Sequence, residues 1–219
     1  MEVHIATIGY SKEPVLFSIR TYSVDKLFLL HTTNKESMRN TNEIIAQVKE
    51  YGIFCDSKKI DPFNLEEIVL TIMKICNENR NDKVSINITG GTKIMASAAL
   101  LTGFILGLKV YYFLDDRLEE NKGKSINELL VELPIPQVSF KDLESTQREI
   151  IVFLLKNNGS LNRANFEIYE GLNLSKQNTS YHLKQLANKG LIELELDGRT
   201  KKASLTNSGL LFARILSRE

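Results

Sequence analysis

The stretch VSINITGGTKIMASAALLTGFILG, residues 84–107, determines the fold prediction. It begins with β-branched residues typical of a buried strand, turns at two glycines, and continues as a run with few polar residues. The 14 residues from Met95 to Leu108 are fewer than the ~20 that a membrane-spanning helix needs. We therefore predict a strand, a glycine turn and a buried helix over residues 92–107.

This helix is apolar on all sides, so we expect it to be covered on more than one side. A sheet of the same chain covers one side, and a second domain or a second copy of the chain covers the other. Small residues would let another helix approach closely, which favours a homodimer; burial within one chain is the alternative. The small residues are Ala96, Ala98, Ala99 and Gly103.

Strands and helices alternate on both sides of this stretch, up to residue 135. Such alternation is typical of right-handed βαβ units and of a mainly parallel sheet covered on both faces. The predicted fold class is therefore α/β with a Rossmann-like sheet. The predicted strands are residues 3–9, 25–33, 54–61, 83–89, 109–115 and a sixth within 125–135. The predicted helices of this part are residues 36–52, 64–80 and 92–107.

The segment 133–145 contains two prolines and interrupts the alternation. Three short helices, a hairpin and a closing helix follow, which is the order of a winged helix-turn-helix domain. We predict a ligand-binding and dimerisation domain at residues 1–135, a linker at 136–144 and a winged helix-turn-helix domain at 145–219. The elements predicted in the last domain are helices at 145–159, 162–173 and 175–190, and a hairpin within 191–206 around Asp197-Gly198.

Composition excludes several classes of protein. The chain is 42% apolar and 25% charged, which is ordinary for a globular protein and argues against disorder. Its two cysteines and three histidines are scattered, so we predict no metal site. The N-terminus has a strand pattern rather than a signal peptide, and we expect a cytoplasmic protein without a membrane partner. Residues 144–219 carry 11 Lys and Arg against 8 Asp and Glu, a net charge of +3 that is compatible with nucleic acid.

Two loops that contain glycine are predicted where the strand order reverses, after strands one and four. They are TIGYS, residues 7–11, and NITGGTK, residues 87–93. Glycines let the backbone approach a ligand, and the following helix start offers free N–H groups, with Thr89, Thr92 and Lys93 nearby. Such a site suits phosphate or a nucleotide; a tight turn without a ligand is the alternative. The chain lacks the P-loop pattern G-x-x-x-x-G-K-[ST], which excludes a P-loop NTPase. No G-x-G-x-x-G follows strand one, which argues against NAD or FAD.

The helix predicted at 175–190 has two faces. Thr179, Leu183 and Leu186 share one face, and amide, phenol and lysine side chains that can bond base edges share the other. A helix of this kind docks in the major groove, and a basic hairpin beside it contacts phosphates. The predicted DNA-binding residues are Lys176, Gln177, Asn178, Ser180, Tyr181, Lys184, Arg199, Lys201 and Lys202. A winged helix that binds another protein is the alternative.

The motif INITGGTKIMASAA, residues 86–99, resembles the signature of CARF domains, the CRISPR-associated Rossmann-fold ligand sensors. TIGYS lies where their first ligand loop lies. TSYHLKQLANKGLIE, residues 179–193, is similar to the recognition helix and wing entry of many winged-helix regulators. Over nearly its whole length the chain resembles the CRISPR-associated CARF transcription regulators with a C-terminal winged helix-turn-helix, which are mostly archaeal.

The resemblance implies a homodimer whose shared two-fold pocket binds a cyclic oligoadenylate, often cyclic tetra-adenylate. The ligand residues it implies are Gly9, Tyr10, Ser11, Asn87, Thr89, Gly90, Gly91, Thr92 and Lys93. We predict a cyclic-oligoadenylate-responsive, DNA-binding transcription regulator of a CRISPR-Cas antiviral defence system. The enzyme alternative is a ring nuclease that degrades the ligand slowly without metal.

For that alternative the resemblance makes Ser11 and Lys93 the candidate residues. The two motifs contain no histidine and no carboxylate pair that would be an evident acid or base.

Overall fold

The computed structural model describes residues 1–134, 138, 140–197 and 200–217. The chain divides into two compact units, Met1–Ile135 and Pro136–Glu219. Residues 136, 137 and 139 of the predicted linker lie outside the described residues, as do Gly198 and Arg199 of the predicted hairpin tip. None of the helices in the described ranges is long and apolar enough to cross a membrane.

The first unit is a six-stranded sheet with helices on both faces. Its strands are β1 (Glu2–Thr7), β2 (Lys26–His31), β3 (Phe54–Lys59), β4 (Lys83–Asn87), β5 (Lys109–Phe113) and β6 (Leu130–Leu133). Its helices are α1 (Glu13–Thr21), α2 (Lys35–Glu50), α3 (Leu65–Glu78), α4 (Lys93–Leu106) and the single turn α5 (Ile126–Leu129). A short 3-10 helix, Glu119–Asn121, precedes α5.

The strand order is β3-β2-β1-β4-β5-β6, with β1 to β5 parallel and β6 antiparallel to β5. This confirms the predicted α/β class, the mainly parallel sheet and the reversal of strand order between β1 and β4. All six predicted strands are present. Helix α1 was not predicted, because it is only nine residues long; Pro14 in its first turn was the available signal.

Helices α3 and α4 cover one face of the sheet, and α1, α2 and α5 cover the other. Coverage on both faces explains why the central strands β1, β2, β4 and β5 are mostly buried, whereas β3 at the sheet edge has no buried residue. In α4, Ala98, Ala99 and Gly103 face the sheet, and a Cβ on Gly103 would lie 2.2 Å from Val110 Cγ2. At Gly103, the small residue therefore lets α4 approach its own sheet.

The outward face of α4 carries large apolar side chains instead. Leu101, Phe104 and Ile105 are exposed, and Ile105 reaches 54% exposure. Within the described residues of the first unit, this face is left without a cover. The predicted second cover of this helix would therefore lie on its outward face. That a second copy of the chain provides this cover stays a prediction.

The second unit is a winged helix-turn-helix. Its helices are α6 (Ser145–Lys156), α7 (Ala164–Gly171), α8 (Lys176–Asn188) and α9 (Asn207–Leu216). Its strands are β7 (Ser160–Leu161), β8 (Ile192–Asp197) and β9 (Thr200–Leu205), in the order β7-β9-β8. The three predicted helices and the hairpin are confirmed, and the short strand β7 was not predicted. The N-cap of α8 is Ser175, whose hydroxyl accepts from the Asn178 N–H at 3.1 Å.

Candidate nucleotide and DNA sites

Two loops meet at the carboxyl ends of the adjacent strands β1 and β4. A Cβ on Gly90 would lie 2.3 Å from the Thr7 carbonyl oxygen, and a Cβ on Gly9 would lie 2.6 Å from the Gly91 nitrogen. Gly91 has a φ of 85°, which side-chain-bearing residues rarely adopt. The Thr7 hydroxyl donates to the Gly90 carbonyl oxygen at 2.6 Å. The glycines therefore bring the two predicted loops into direct backbone contact.

A buried amide supports the second loop. Asn87 Nδ2 donates to the Pro14 carbonyl oxygen at 3.0 Å and to Ser18 Oγ at 2.8 Å, both in α1. Asn87 Oδ1 accepts from the N–H and the hydroxyl of Thr89, at 3.0 and 2.7 Å. Thr89 Oγ1 also accepts from the Phe113 N–H at 2.9 Å. Both predicted ligand residues thus use their side chains to position the loop.

The N-terminus of α4 faces the same edge of the sheet. The Thr92 hydroxyl accepts from the Met95 N–H at 3.2 Å and donates to the Pro62 carbonyl oxygen at 2.9 Å. It therefore caps α4 and fixes the loop after β3. Lys93 is exposed, and the described residues provide no partner for its ammonium group. A free cation beside the positive end of a helix suits an anion.

The first loop presents an aromatic ring and a hydroxyl. Tyr10 is 79% exposed. The Ser11 hydroxyl donates to Glu13 Oε2 at 2.5 Å, and this hydrogen bond lowers the pKa of the Glu13 carboxyl. The Gly9 carbonyl oxygen accepts from Asn40 Nδ2 at 3.1 Å, which ties the loop to α2. A carboxylate therefore lies beside the predicted hydroxyl. Glu13 was not among the predicted site residues because it stands just outside the TIGYS motif.

A first cavity of about 210 Å³ lies beyond the ends of β1, β4 and β5. Glu13, Asp115, Asp116 and Arg117 contribute its charged lining. Arg117 donates two hydrogen bonds of 2.8 Å to Asp115, which lowers the pKa of that carboxyl. Net negative charge favours hydroxyl or amino groups over phosphate in this cavity. The available signal was the run of three charged residues, 115–117, one residue beyond the end of the fifth strand.

A second cavity of about 240 Å³ lies on the other side of the first loop, and no charged residue lines it. Phe63, from the loop after β3, stands at this cavity and is 75% exposed. Ser11 lines the first cavity, whereas Lys93 lines neither. No group of His, Cys, Asp and Glu among the described residues is arranged to hold a metal ion.

The predicted faces of α8 are confirmed. Thr179, Leu183 and Leu186 are buried in the core of the second unit. The predicted DNA-binding residues of the other face are exposed, except for the half-buried Ser180. The exposed ones are Lys176, Gln177, Asn178, Tyr181 and Lys184. The polar face is therefore free to contact a partner.

Strands β8 and β9 form the wing, with Lys202 opposite Glu195 and Lys201 opposite Leu196. Lys202 Nζ lies 3.5 Å from Glu195 Oε2 at the surface. An exposed ion pair of this kind contributes ~0–1 kcal/mol, so a phosphate can compete with the carboxylate. Arg199, the third predicted wing residue, lies outside the described residues.

The family model described as HFX_2341_N:-like, N-terminal matches residues 2–117. The chain belongs to this family. The matched residues run from β1 through β5 to Arg117 and include both glycine loops, so the family covers the part of the first unit that builds the site. No curated protein matches the chain in sequence.

Several solved structures resemble the chain. Csm6 of Enterococcus italicus, bound to cyclic hexa-2'-fluoro-hexa-dAMP, matches 100% of this chain and 53% of its own at 13% identity and a TM-score of 0.53. Can2 of Sulfobacillus thermosulfidooxidans, in complex with cyclic tetra-adenylate, matches 99% and 63% at 17% identity and a TM-score of 0.47.

MepR of Staphylococcus aureus, a transcription regulator of the multidrug efflux pump MepA, matches 36% of this chain and 58% of its own at 24% identity and a TM-score of 0.32. The chain thus spans between 53% and 63% of the length of these structures. The likeness to Csm6 is one of fold.

Proposed function

We propose that this chain is a homodimeric transcription regulator that binds a cyclic oligoadenylate in its first unit and double-stranded DNA in its second. The observation that carries the proposal is the joining, in one chain, of two contacting glycine loops at the switch point of a parallel sheet and a winged helix with a free polar face. Ligands bind at such switch points in open α/β sheets.

The ligand assignment rests on the chemistry of the loops. Backbone N–H groups around Gly90 and Gly91, the N-terminus of α4 and the unpaired Lys93 suit the phosphates of a nucleotide. The resemblance of residues 86–99 to the CARF signature indicates a cyclic oligoadenylate, and cyclic tetra-adenylate is the ring we expect. The fold likeness to Csm6, which was solved with a cyclic oligonucleotide analogue, supports the same class of ligand.

The dimer assignment rests on the outward face of α4. Its exposed side chains include Leu101, Phe104 and Ile105, a contiguous apolar surface of the kind that marks protein contacts. A second copy would cover this face and bring two ligand loops to one two-fold axis. The ligand would then act by binding two arrangements of the dimer with different affinities, which is the condition for coupling to DNA. The setting we propose is the cytoplasm of a cell with a CRISPR-Cas system.

Two binding titrations test the proposal. The purified chain is titrated with cyclic oligoadenylates of three to six nucleotides, and its mass is measured by sedimentation. It is then titrated against the duplex upstream of its own gene and against random duplex, with and without ligand, at low and physiological salt. We expect a dimer, binding of one ring size and a ligand-dependent change in DNA affinity. No DNA binding even at low salt would instead favour the protein-interaction alternative.

Ring cleavage is a second candidate, favoured by the short hydrogen bond between Ser11 and Glu13. A ribose 2′-hydroxyl placed beside this pair would attack the neighbouring phosphorus and form a 2′,3′-cyclic phosphate as the P–O5′ bond breaks. The 2′-hydroxyl proton would pass to Glu13, water would protonate the departing 5′-oxygen, and Lys93 would hold the phosphate. We expect any cleavage to be slow and insensitive to chelators. Stimulation by a divalent metal that is lost on adding EDTA would contradict this candidate.

A further inference from the structure

Two aromatic side chains stand at the rim of the second cavity. Tyr10 and Phe63 are 79% and 75% exposed, the highest fractions of any aromatic residue whose exposure the structure describes. Tyr10 belongs to the first glycine loop and Phe63 to the loop after β3, and both line the cavity together with Gly91. One exposed aromatic residue needs no explanation. Two at a single cavity, on the edge where parallel sheets bind ligands, indicate a binding surface.

The segment that carries Phe63 is fixed without a ligand. The Phe63 N–H donates to Asp61 Oδ1 at 2.9 Å. The Pro62 carbonyl oxygen accepts from the Thr92 hydroxyl at 2.9 Å, so the cap of α4 also holds this loop. A ring presented by an ordered loop loses little entropy when it binds.

The cavity has the size and polarity for one flat, uncharged group. Its volume of about 240 Å³ is below the ~300–1,000 Å³ of pockets that enclose a whole small molecule. No charged side chain lines it, whereas carboxylates line the first cavity. The cation available for phosphate, Lys93, follows directly on Thr92, which lines the second cavity. A nucleotide bound here would place its phosphate near Lys93 and its base at the aromatic rim.

We propose that Tyr10 and Phe63 form a stacking platform for one purine base of the cyclic oligoadenylate. This inference rests on the proposed function and deepens it, because it names the residues that hold a base rather than a phosphate. Base–aromatic stacking contributes in this way at many single-strand nucleic-acid sites and needs no hydrogen-bond readout. Thr92 then acts as a positioning residue for Phe63.

The test uses cyclic tetra-adenylate in which 2-aminopurine replaces one adenine, because stacking on an aromatic ring quenches its fluorescence. Phe63→Leu keeps an apolar side chain but removes the ring. We expect it to lower affinity about 5- to 150-fold, the range that corresponds to losing one base–aromatic stack, and to reduce the quenching. Phe63→Tyr should restore both, and Tyr10→Leu should act in the same direction as Phe63→Leu.

The matched control is Tyr51→Leu, which removes an exposed ring at the C-terminal cap of α2, at the opposite edge of the sheet. It should change neither affinity nor quenching. If the wild-type chain binds cyclic tetra-adenylate and both Phe63→Leu and Tyr10→Leu bind it equally well with full quenching, the platform is refuted and the proposed function stands. If Phe63→Leu only dissociates the dimer, a second copy covers the ring and the platform is refuted. If the wild type binds no cyclic oligoadenylate, both proposals fail.

Discussion

The two predicted binding regions are built in opposite ways. At the ends of β1 and β4, the side chains of Asn87, Thr89 and Thr92 are engaged in hydrogen bonds within the protein, and the glycine backbone forms the surface. On α8, Gln177 and Asn178 project into solvent. A loop that must hold an irregular backbone needs internal partners for its polar groups, whereas a helix satisfies its own. The first region therefore depends on main-chain shape and the second on side-chain identity.

The largest effect that would test this contrast is expected for Gly90→Ala. The new Cβ would lie 2.3 Å from the Thr7 carbonyl oxygen, so the two loops must separate. We expect ligand binding to be abolished and the first unit to lose ~1–3 kcal/mol of stability, the usual cost of overpacking. Calorimetric titration with cyclic tetra-adenylate and urea unfolding measure the two effects.

Gly123→Ala is the control for this substitution. Its Cβ would meet no atom within 4 Å, and its cost comes only from the φ of 79°. That backbone strain costs about 1–2 kcal/mol of stability. Gly123 belongs to neither glycine loop. The substitution should therefore lower stability and leave ligand binding intact. Equal ligand affinity in Gly90→Ala and wild type would show that the first region does not depend on main-chain shape.

The next effect concerns His4, a buried residue of β1 in the first unit. It tests how the stability of this unit depends on pH. His4 Nδ1 lies 2.6 Å from the Tyr111 hydroxyl, and burial lowers the pKa of His4 from 6.5 to about 4. In the unfolded chain, His4 therefore binds a proton near pH 6.5, whereas in the folded chain it stays neutral until the pH is near 4. The contribution of neutral His4 to the free energy of unfolding should be complete above pH 6.5. It should fall by up to about 3 kcal/mol as the pH falls to 4.

Urea unfolding of the full chain at several pH values between 7 and 4 measures this effect. In His4→Gln the slope of stability against pH should be reduced in the same window. An unchanged slope in His4→Gln would mean that protonation of His4 is not the cause of the pH dependence of stability.

A smaller effect is expected for Lys93→Ala, which removes the one predicted side chain of the second loop that has no internal partner. Ligand affinity should weaken by ~1.5–3 kcal/mol, the scale of a hydrogen bond to a charged group, with unchanged stability. Lys74→Ala, on the neighbouring helix α3, removes an exposed lysine away from the loops and should bind the ligand as the wild type does. If Lys93→Ala retains full affinity for every oligoadenylate tested, the phosphate position is wrong.

The second region should respond to side-chain identity alone. Asn178→Ala should cost ~1–3 kcal/mol on the preferred operator and little on random duplex, because we expect Asn178 to contact base edges. Lys201→Ala should weaken binding to both duplexes and lower the salt slope by about 0.9, because we expect Lys201 to contact a phosphate. Fluorescence anisotropy at several salt concentrations separates the two. Identical losses on both duplexes for Asn178→Ala would remove it from base recognition.

Much of the fold could be predicted because its signals are local. Backbone and side-chain chemistry within a few residues predicts three of its features. They are the β-branched run before Gly90, the apolar helix after Lys93 and the Ser175 cap. Helix α1 was missed because its short amphipathic pattern is weak, and with it Glu13.

Phe63 was missed for another reason: it lies in an ordinary loop after β3. Only the packing of α3 beside α4 on one face of the sheet brings this loop, which leads into α3, next to the N-terminus of α4.

The amino-acid sequence by itself determined the α/β class, the order of elements, the two glycine loops and the polar face of α8, because periodicity, turn residues and caps act locally. The tertiary structure alone decided which polar groups remain free. Asn87 and Thr89 lie in a predicted ligand motif, yet burial requires their hydrogen bonds to be made inside the protein. Gly103 serves its own sheet rather than a second helix, because the distance between α4 and β5 leaves no room for a Cβ.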